Sequence, residues 1–175
     1  MKQLCIALGF FDGLHLGHDA LLKKTIERAR ELDLTPAVLT FDQHPKTVLT
    51  GKPTPLIYTP EKRAQLLHDL YGIDTLCTCH VDMEFLNMSP EAFVQDVLLK
   101  QYHAAYVIAG EDFHYGRKNE GTPETLQKTC NALGIGVDIL PCVTLDGIVV
   151  SSSYIRSLIQ DGNIAEGEHF LGHSL

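Results

Sequence analysis

The sequence lacks a long apolar segment, and its basic residues are outnumbered by its acidic ones. No apolar run approaches the roughly 20 residues that a membrane-spanning helix needs. The stretch MKQLCIALGF has one lysine and no small-residue cleavage site, which favours a strand over a signal peptide. With 14 Lys and Arg against 22 Asp and Glu, the net charge of −8 argues against a nucleic-acid partner. We therefore expect neither a membrane nor a nucleic acid as partner, whereas a local phosphate site stays compatible with this charge.

Paired cysteines and internal repeats are missing as well. The five cysteines are odd in number and several lie in apolar runs, which is typical of free thiols in a reducing cytoplasm. The segment CTCH, residues 77–80, has no second ligand pair at zinc-finger spacing, so core packing of Cys77 and Cys79 is favoured over a metal site. With no repeat, low-complexity segment or linker, residues 1–175 are predicted to form one cytoplasmic domain.

Apolar, β-branched runs alternate with helical patterns along the whole chain. Near-continuous apolar strands in this order predict an α/β fold: a Rossmann-like, doubly wound parallel five-stranded sheet with helices on both faces. The strands are expected within residues 3–11, 36–41, 73–81, 104–110 and 136–143. Helices are expected from Leu21 to Leu32 and after Thr59, Ser89, Thr122 and the serines at 151–153. The longest irregular stretch, residues 42–58, is interpreted as a substrate loop at the carboxyl ends of the strands.

The stretch ALGFFDGLHLGH, residues 7–18, joins the first strand to the first helix. Gly13 permits a tight turn and Gly17 a close backbone approach to a ligand, while N–H groups at a helix start favour an anion. His15 and His18 are three residues apart and share a helix face, where two imidazoles can donate hydrogen bonds to phosphate oxygens. The residues alone leave exposed or capping histidines and a partial metal site open, although no second metal motif accompanies them.

Six segments then carry a resemblance to a known family. GFFDGLHLGH is similar to the His-x-Gly-His signature of nucleotidyltransferases, in the form found in the adenylyltransferase module of bacterial bifunctional riboflavin kinase/FAD synthetases. LTFDQHP (39–45), PLIYTPEKRAQLL (55–67), FLNMSPEAFVQDVL (85–98), AGEDFHYGRKNEGT (109–122) and VSSSYIRSLIQDGNIAEGEHFLG (150–172) resemble further segments of that family, in the same order. Ser153 stands where the family usually has Thr, which keeps the hydroxyl group. The sequence stops at Leu175, about where the riboflavin kinase module of the family would begin. Either the protein is a natural single-module form or that module was removed.

The resemblance implies FMN adenylyltransferase activity, ATP + FMN → FAD + pyrophosphate. The catalytic residues it implies are His15, His18 and Arg156. For ATP it implies Gly9, Phe10, Gly17, Asp112, Ser152 and Ser153. For the flavin it implies Phe41, His44, Pro45 and Tyr58. Mg²⁺ would neutralise the phosphates with few protein ligands, so no residue is assigned to it, and a separate riboflavin kinase is the expected partner.

Other interpretations of these residues remain open at the level of sequence. Phe41 ends an apolar strand and could pack in the core, the serines before the last helical pattern are also a capping cluster, and Asp112 could cap a turn. A related nucleotidyltransferase with another phosphate acceptor is one alternative function. A non-catalytic nucleotide- or flavin-binding protein is a second alternative.

Overall fold

A computed structural model describes residues 2–175, so Met1, the first residue of the predicted domain, lies outside the described residues. Five parallel strands form the main sheet in the spatial order β3-β2-β1-β4-β5. Their bounds are β1 Leu4–Leu8, β2 Thr35–Phe41, β3 Thr75–Cys79, β4 Ala104–Gly110 and β5 Gly136–Leu140. The predicted α/β fold with a parallel five-stranded sheet is therefore confirmed.

The helices pack around this sheet, and three of them begin directly after the predicted caps Thr59, Ser89 and Thr122. They are α1 Leu16–Glu31, α2 Pro45–Thr50, α3 Pro60–Tyr71, α4 Met83–Leu86, α5 Pro90–Ala92, α6 Pro123–Ala132, α7 Ser152–Gln160 and α8 Ile164–Leu171. The hydroxyls of Thr59, Ser89 and Thr122 accept N–H bonds from the first turns of α3, α5 and α6, and proline follows each of them. A π-helical segment, Phe93–Gln101, continues α5. None of the helices within residues 2–175 has the length and apolar character needed to cross a membrane.

The core lies on both faces of the sheet. One cluster places Ile6, Leu39 and Val107 against Phe93 and its neighbours, and also contains Cys77 and Cys79, as predicted. Burial raises the pKa of both thiols to about 11, so they stay protonated at neutral pH. A second cluster on the opposite face packs side chains of β1 and β2 against α1 and α3; it consists of Ala7, Phe11, Leu14, Leu22, Val38, Leu67 and Ile73.

Two local predictions were wrong in their bounds. The first helix begins at Leu16 rather than Leu21, because the His15 side chain caps it and so allows the helix to start directly after the turn. Residues 42–58 are not wholly irregular: α2 forms there, with His44 as N-cap, Pro45 at the first helical position and Gly51 as a left-handed C-cap. Outside the main sheet, β6 Thr144–Leu145 and β7 Ile148–Val149 pair as a small antiparallel hairpin.

Strand order reverses between β1 and β4. The chain moves from β1 outward through β2 to β3, then returns to β4 on the other side of β1. In open parallel sheets, ligands bind in the crevice at the carboxyl ends of the strands where this reversal occurs. The turn Gly9–Leu14 after β1 and the loop after β4 meet at this place.

Candidate functional site

A cavity of about 490 Å³ lies at the carboxyl ends of β1 and β4. Its volume and its mixture of polar and apolar walls are typical of a small-molecule site. It brings together most of the residues that the sequence pointed to: Gly9, Phe10, His15, Gly17, His18, Phe41, His44, Pro45, Asp112 and Ser152. Tyr58, Ser153 and Arg156 do not line it.

The two histidines form a stacked pair at the amino end of α1. Their ring centroids are 3.6 Å apart and their planes differ by 13°. His15 Nδ1 accepts the backbone N–H groups of Gly17, at 3.1 Å, and His18, at 3.3 Å. Because Nδ1 accepts, the proton of a neutral His15 ring is on Nε2. A Cβ at Gly17 would lie 2.9 Å from His15 Cε1, so glycine makes room for the ring.

Both imidazoles are neutral at neutral pH. Burial, together with the nearby Arg156 guanidinium, lowers the pKa of His15 to about 4. Burial, with His15 and the Arg63 guanidinium as neighbours, holds the pKa of His18 well below its usual value. The pair therefore offers hydrogen-bond donors to a ligand rather than two positive charges.

An ion pair that sequence analysis missed, with a buried carboxylate, lies behind the turn. The Asp12 carboxylate, 1% exposed, accepts the N–H groups of Ile57 and Tyr58 and pairs with Arg156 Nη1 at 2.8 Å. Arg156 Nη2 donates to Ser153 Oγ at 3.3 Å. The guanidinium is thus directed at Asp12 in this structure, and the phosphate-binding roles of Arg156 and Ser153 stay predictions.

The turn between β1 and α1 is held in an unusual backbone conformation. Phe11 and Leu14 have positive φ angles of 60° and 49°, which cost non-glycine residues free energy, and Gly13 has φ 87°. Ser152, at the start of α7, donates its Oγ–H to the Asp12 carbonyl oxygen at 2.8 Å. Ser152 therefore lines the cavity and also fixes the turn that carries the histidines.

Aromatic rings form the wall next to β2. Phe10 and Phe41 stack with centroids 6.2 Å apart, and His44 lies 5.2 Å from Phe10. The Arg63 guanidinium, on α3 and buried, lies 4.8 Å from the Phe10 ring centroid and supports that ring from behind. Tyr58 lies apart from this wall, because its ring is buried and its hydroxyl donates to the Ser174 carbonyl. Its role as a flavin contact stays a prediction.

An apolar lobe of the same cavity was missed. It is lined by Phe85, Leu86, Met88, Phe93, Phe113 and Tyr115. Phe113 and Tyr115 stack at 5.6 Å, and Tyr115 contacts Phe93 at 5.2 Å. These residues follow the carboxyl ends of β3 and β4, a position in sequence that could have indicated them.

Asp112 supplies the carboxylate of the cavity wall. It follows β4, and a Cβ at Gly110 would lie 2.7 Å from its Oδ1, so glycine at 110 makes room for this side chain. Within residues 2–175, no group of three His, Cys, Asp or Glu side chains is arranged to hold a metal ion. A polar wall at a helix amino terminus and an apolar aromatic lobe thus share one cavity.

This combination defines an α/β protein with a small-molecule cavity at the switch point of its sheet, and comparisons with known proteins give its family. The FAD synthetase family profile matches residues 1–154, and the chain belongs to that family. The bifunctional riboflavin kinase/FMN adenylyltransferase of Listeria monocytogenes is 37% identical over 174 residues, which is 96% of this chain and 53% of the relative. The corresponding Bacillus subtilis protein is 32% identical, over 95% of this chain and 52% of the relative.

Two further similarities extend this result. An FAD synthetase of Listeria monocytogenes is 27% identical over 98% of this chain and 70% of the relative. A crystal structure described as a macrolide-efflux protein from Streptococcus pneumoniae superposes with a TM-score of 0.87 at 29% identity, over 99% of this chain and 57% of that one. The chain spans about half the length of the bifunctional relatives.

Proposed function

We propose that this chain transfers the adenylyl group of ATP to FMN, forming FAD and pyrophosphate. The observation that carries the proposal is the stacked pair of His15 and His18 at the amino end of α1, in a cavity whose opposite lobe is aromatic. The names of the related proteins, FMN adenylyltransferase and FAD synthetase, support the same reaction. A phosphate-binding end and a flat apolar end are what joining a nucleoside triphosphate to a flavin phosphate requires.

The chemistry needs positioning more than a protein nucleophile. An oxygen of the FMN phosphate attacks the α-phosphorus of ATP, and the bond from that phosphorus to the departing pyrophosphate breaks. Both substrates are anions, so the enzyme must bring them together and stabilise the charge that develops. His15 Nε2–H and a ring N–H of His18 donate to phosphate oxygens, and because both rings are neutral they do so without taking up a proton.

The remaining cavity residues position the substrates. Phe10, Phe41 and the residues of the apolar lobe contact the flavin rings, and His44 and Pro45 close the β2 side. Gly9 and Gly17 let the nucleotide approach the backbone, and Asp112 binds the ATP ribose or base region. Ser152, Ser153 and Arg156 stabilise the phosphate end of the cavity. While its guanidinium is paired with Asp12, Arg156 acts from behind the turn.

The residues that line the cavity fit Mg²⁺ that enters bound to the phosphates of its substrate. Asp112 is the carboxylate among the described lining residues, and Mg²⁺ in such sites is held by substrate phosphates with one or two carboxylates. Bound Mg²⁺ would neutralise phosphate charge.

The FMN itself has to come from a riboflavin kinase, an activity named in the bifunctional relatives. We place the formation of FMN and its adenylylation in the cytoplasm, where the free thiols of the chain remain reduced.

The test combines binding with turnover. Isothermal titration with ATP·Mg and with FMN, followed by chromatography of a mixture of both, should show two binding events and stoichiometric FAD and pyrophosphate. A folded sample that binds neither substrate and forms no FAD refutes the proposal. Product formation with a different phosphate acceptor, and none with FMN, would redirect it to a related transferase.

A further inference from the structure

The segment after α8 packs against the turn that carries the histidines. His173 lies there, and its Nε2 is 3.0 Å from the Gly13 carbonyl oxygen and 3.2 Å from that of Leu14. Its Nδ1 is 3.1 Å from the Ser174 carbonyl oxygen. Carbonyl oxygens only accept, so a hydrogen bond at either ring nitrogen requires an N–H at that nitrogen. The contact with the turn requires the N–H on Nε2.

The ring of His173 is itself fixed in place. It stacks against the Tyr58 ring at 6.1 Å with the planes 19° apart, and the Tyr58 hydroxyl donates to the Ser174 carbonyl oxygen. The Tyr58 backbone N–H donates to Asp12, so Tyr58 contacts the turn through its backbone and His173 through its side chain. His173 is thus held by contacts on both its ring face and its ring nitrogens.

Three successive carbonyl oxygens of the turn are held by side chains from the end of the chain that follows β7. Ser152 donates to the carbonyl of Asp12, and His173 donates to those of Gly13 and Leu14. Leu14 has φ +49°, a conformation that a non-glycine residue keeps only when its surroundings fix it. The orientation of the peptide bond between Leu14 and His15 determines the backbone position from which the His15 side chain extends. The turn would otherwise relax and carry that ring with it.

We propose that His173 is a positioning residue for adenylyl transfer: it holds the Gly13 and Leu14 carbonyls so that His15 and His18 keep their stacked, donor-ready arrangement. The inference rests on the proposed function of the site for its kinetic consequence. Its structural consequence does not depend on that function. His173 is not among the residues that line the cavity, so its effect is on the geometry of the imidazoles.

Two substitutions distinguish the effect of the His173 N–H donor from that of its ring. His173→Phe keeps a flat ring against Tyr58 and removes the donor, whereas His173→Gln restores an N–H donor. His169→Phe is the matched control, because His169 lies on α8, is exposed and pairs with Asp146. Displacing catalytic groups by about an ångström costs up to ~10²-fold in rate, so we expect His173→Phe to lower kcat for FAD formation about ten-fold. The KM for FMN should change less than two-fold, His173→Gln should recover most of the rate, and His169→Phe should match the wild type.

A readout without turnover distinguishes the inference from the proposed function. Hydrogen exchange of the Gly17 and His18 amides, which donate to His15 Nδ1, should be about ten-fold faster in His173→Phe and unchanged in His169→Phe. In the wild type, NMR should show a slowly exchanging Nε2–H on His173, a measurement that stands even if the Phe variant does not fold. Unaltered exchange and kcat in the Phe variant, or a His173 ring without that proton, overturns the inference. If the wild type forms no FAD, the proposed function fails while the exchange data still decide the role of His173.

Discussion

The ion pair between the buried Asp12 carboxylate and the Arg156 guanidinium predicts a large stability effect. Asp12 is 1% exposed, and its carboxylate accepts two backbone N–H groups as well as the guanidinium at 2.8 Å. Asp12→Asn removes the charge and presents an amide N–H₂ to groups that are all donors. Removing one partner of a buried ion pair costs about 3–5 kcal/mol. For a chain of this size that corresponds to a fall in Tm of roughly 10 °C.

Urea unfolding followed by circular dichroism measures this cost. Asp96→Asn is the control, because Asp96 forms an exposed pair with Lys100 and should cost less than about 1 kcal/mol. The double variant Asp12→Asn/Arg156→Met should lose less than the sum of the two single variants, since each single change leaves a buried group unpaired. If Asp12→Asn unfolds within 1 kcal/mol of Asp96→Asn, the assignment of Asp12 as the anchor of the turn is refuted.

Three further predictions concern the site. His18→Ala should lower kcat for FAD formation by about 10²–10³, because it removes a donor to the developing charge, and an unchanged rate would exclude that role. Burial lowers the pKa of His15 from 6.5 to about 4 in the folded protein. Between these two pH values the unfolded chain binds a proton at His15 that the folded protein does not bind. The free energy of unfolding therefore falls as pH drops from 6.5 to 4. His15→Asn should remove up to about 3 kcal/mol of that pH dependence in urea titrations, and a variant with an unaltered slope would contradict the burial of a neutral ring. Phe113→Ala should raise the KM for FMN several-fold and that for ATP little; equal effects on both would place the flavin elsewhere.

The fold was predictable because its signals are local. The apolar runs of the five strands and the Thr-Pro or Ser-Pro starts after Thr59, Ser89 and Thr122 specify elements within a few residues of sequence. The spacing of His15 and His18 predicted that they lie together at the start of the first helix, but not that their rings stack or that His15 is the N-cap. The helix at Pro45–Thr50 carries the same kind of signals, but the three prolines near it favoured an irregular loop in the sequence interpretation.

Contacts between distant segments were not predictable. Asp12 and Arg156 are 144 residues apart, and His173 meets Gly13 across 160 residues. Only the packing of α7 and α8 against the turn brings them together, and no pattern in the sequence records that packing. The direction of the Arg156 side chain, toward Asp12 rather than into the cavity, is likewise a result of tertiary structure.

The fate of the two ends of ATP tests the central claim most directly. Wild-type protein is incubated with FMN, Mg²⁺ and ATP labelled either at the α-phosphorus or at the γ-phosphorus. Adenylyl transfer predicts that the α label appears in FAD and the γ label in pyrophosphate, with equal yields. A folded protein that binds both substrates but leaves the α label in ATP, or releases it as free AMP without FAD, would contradict the account.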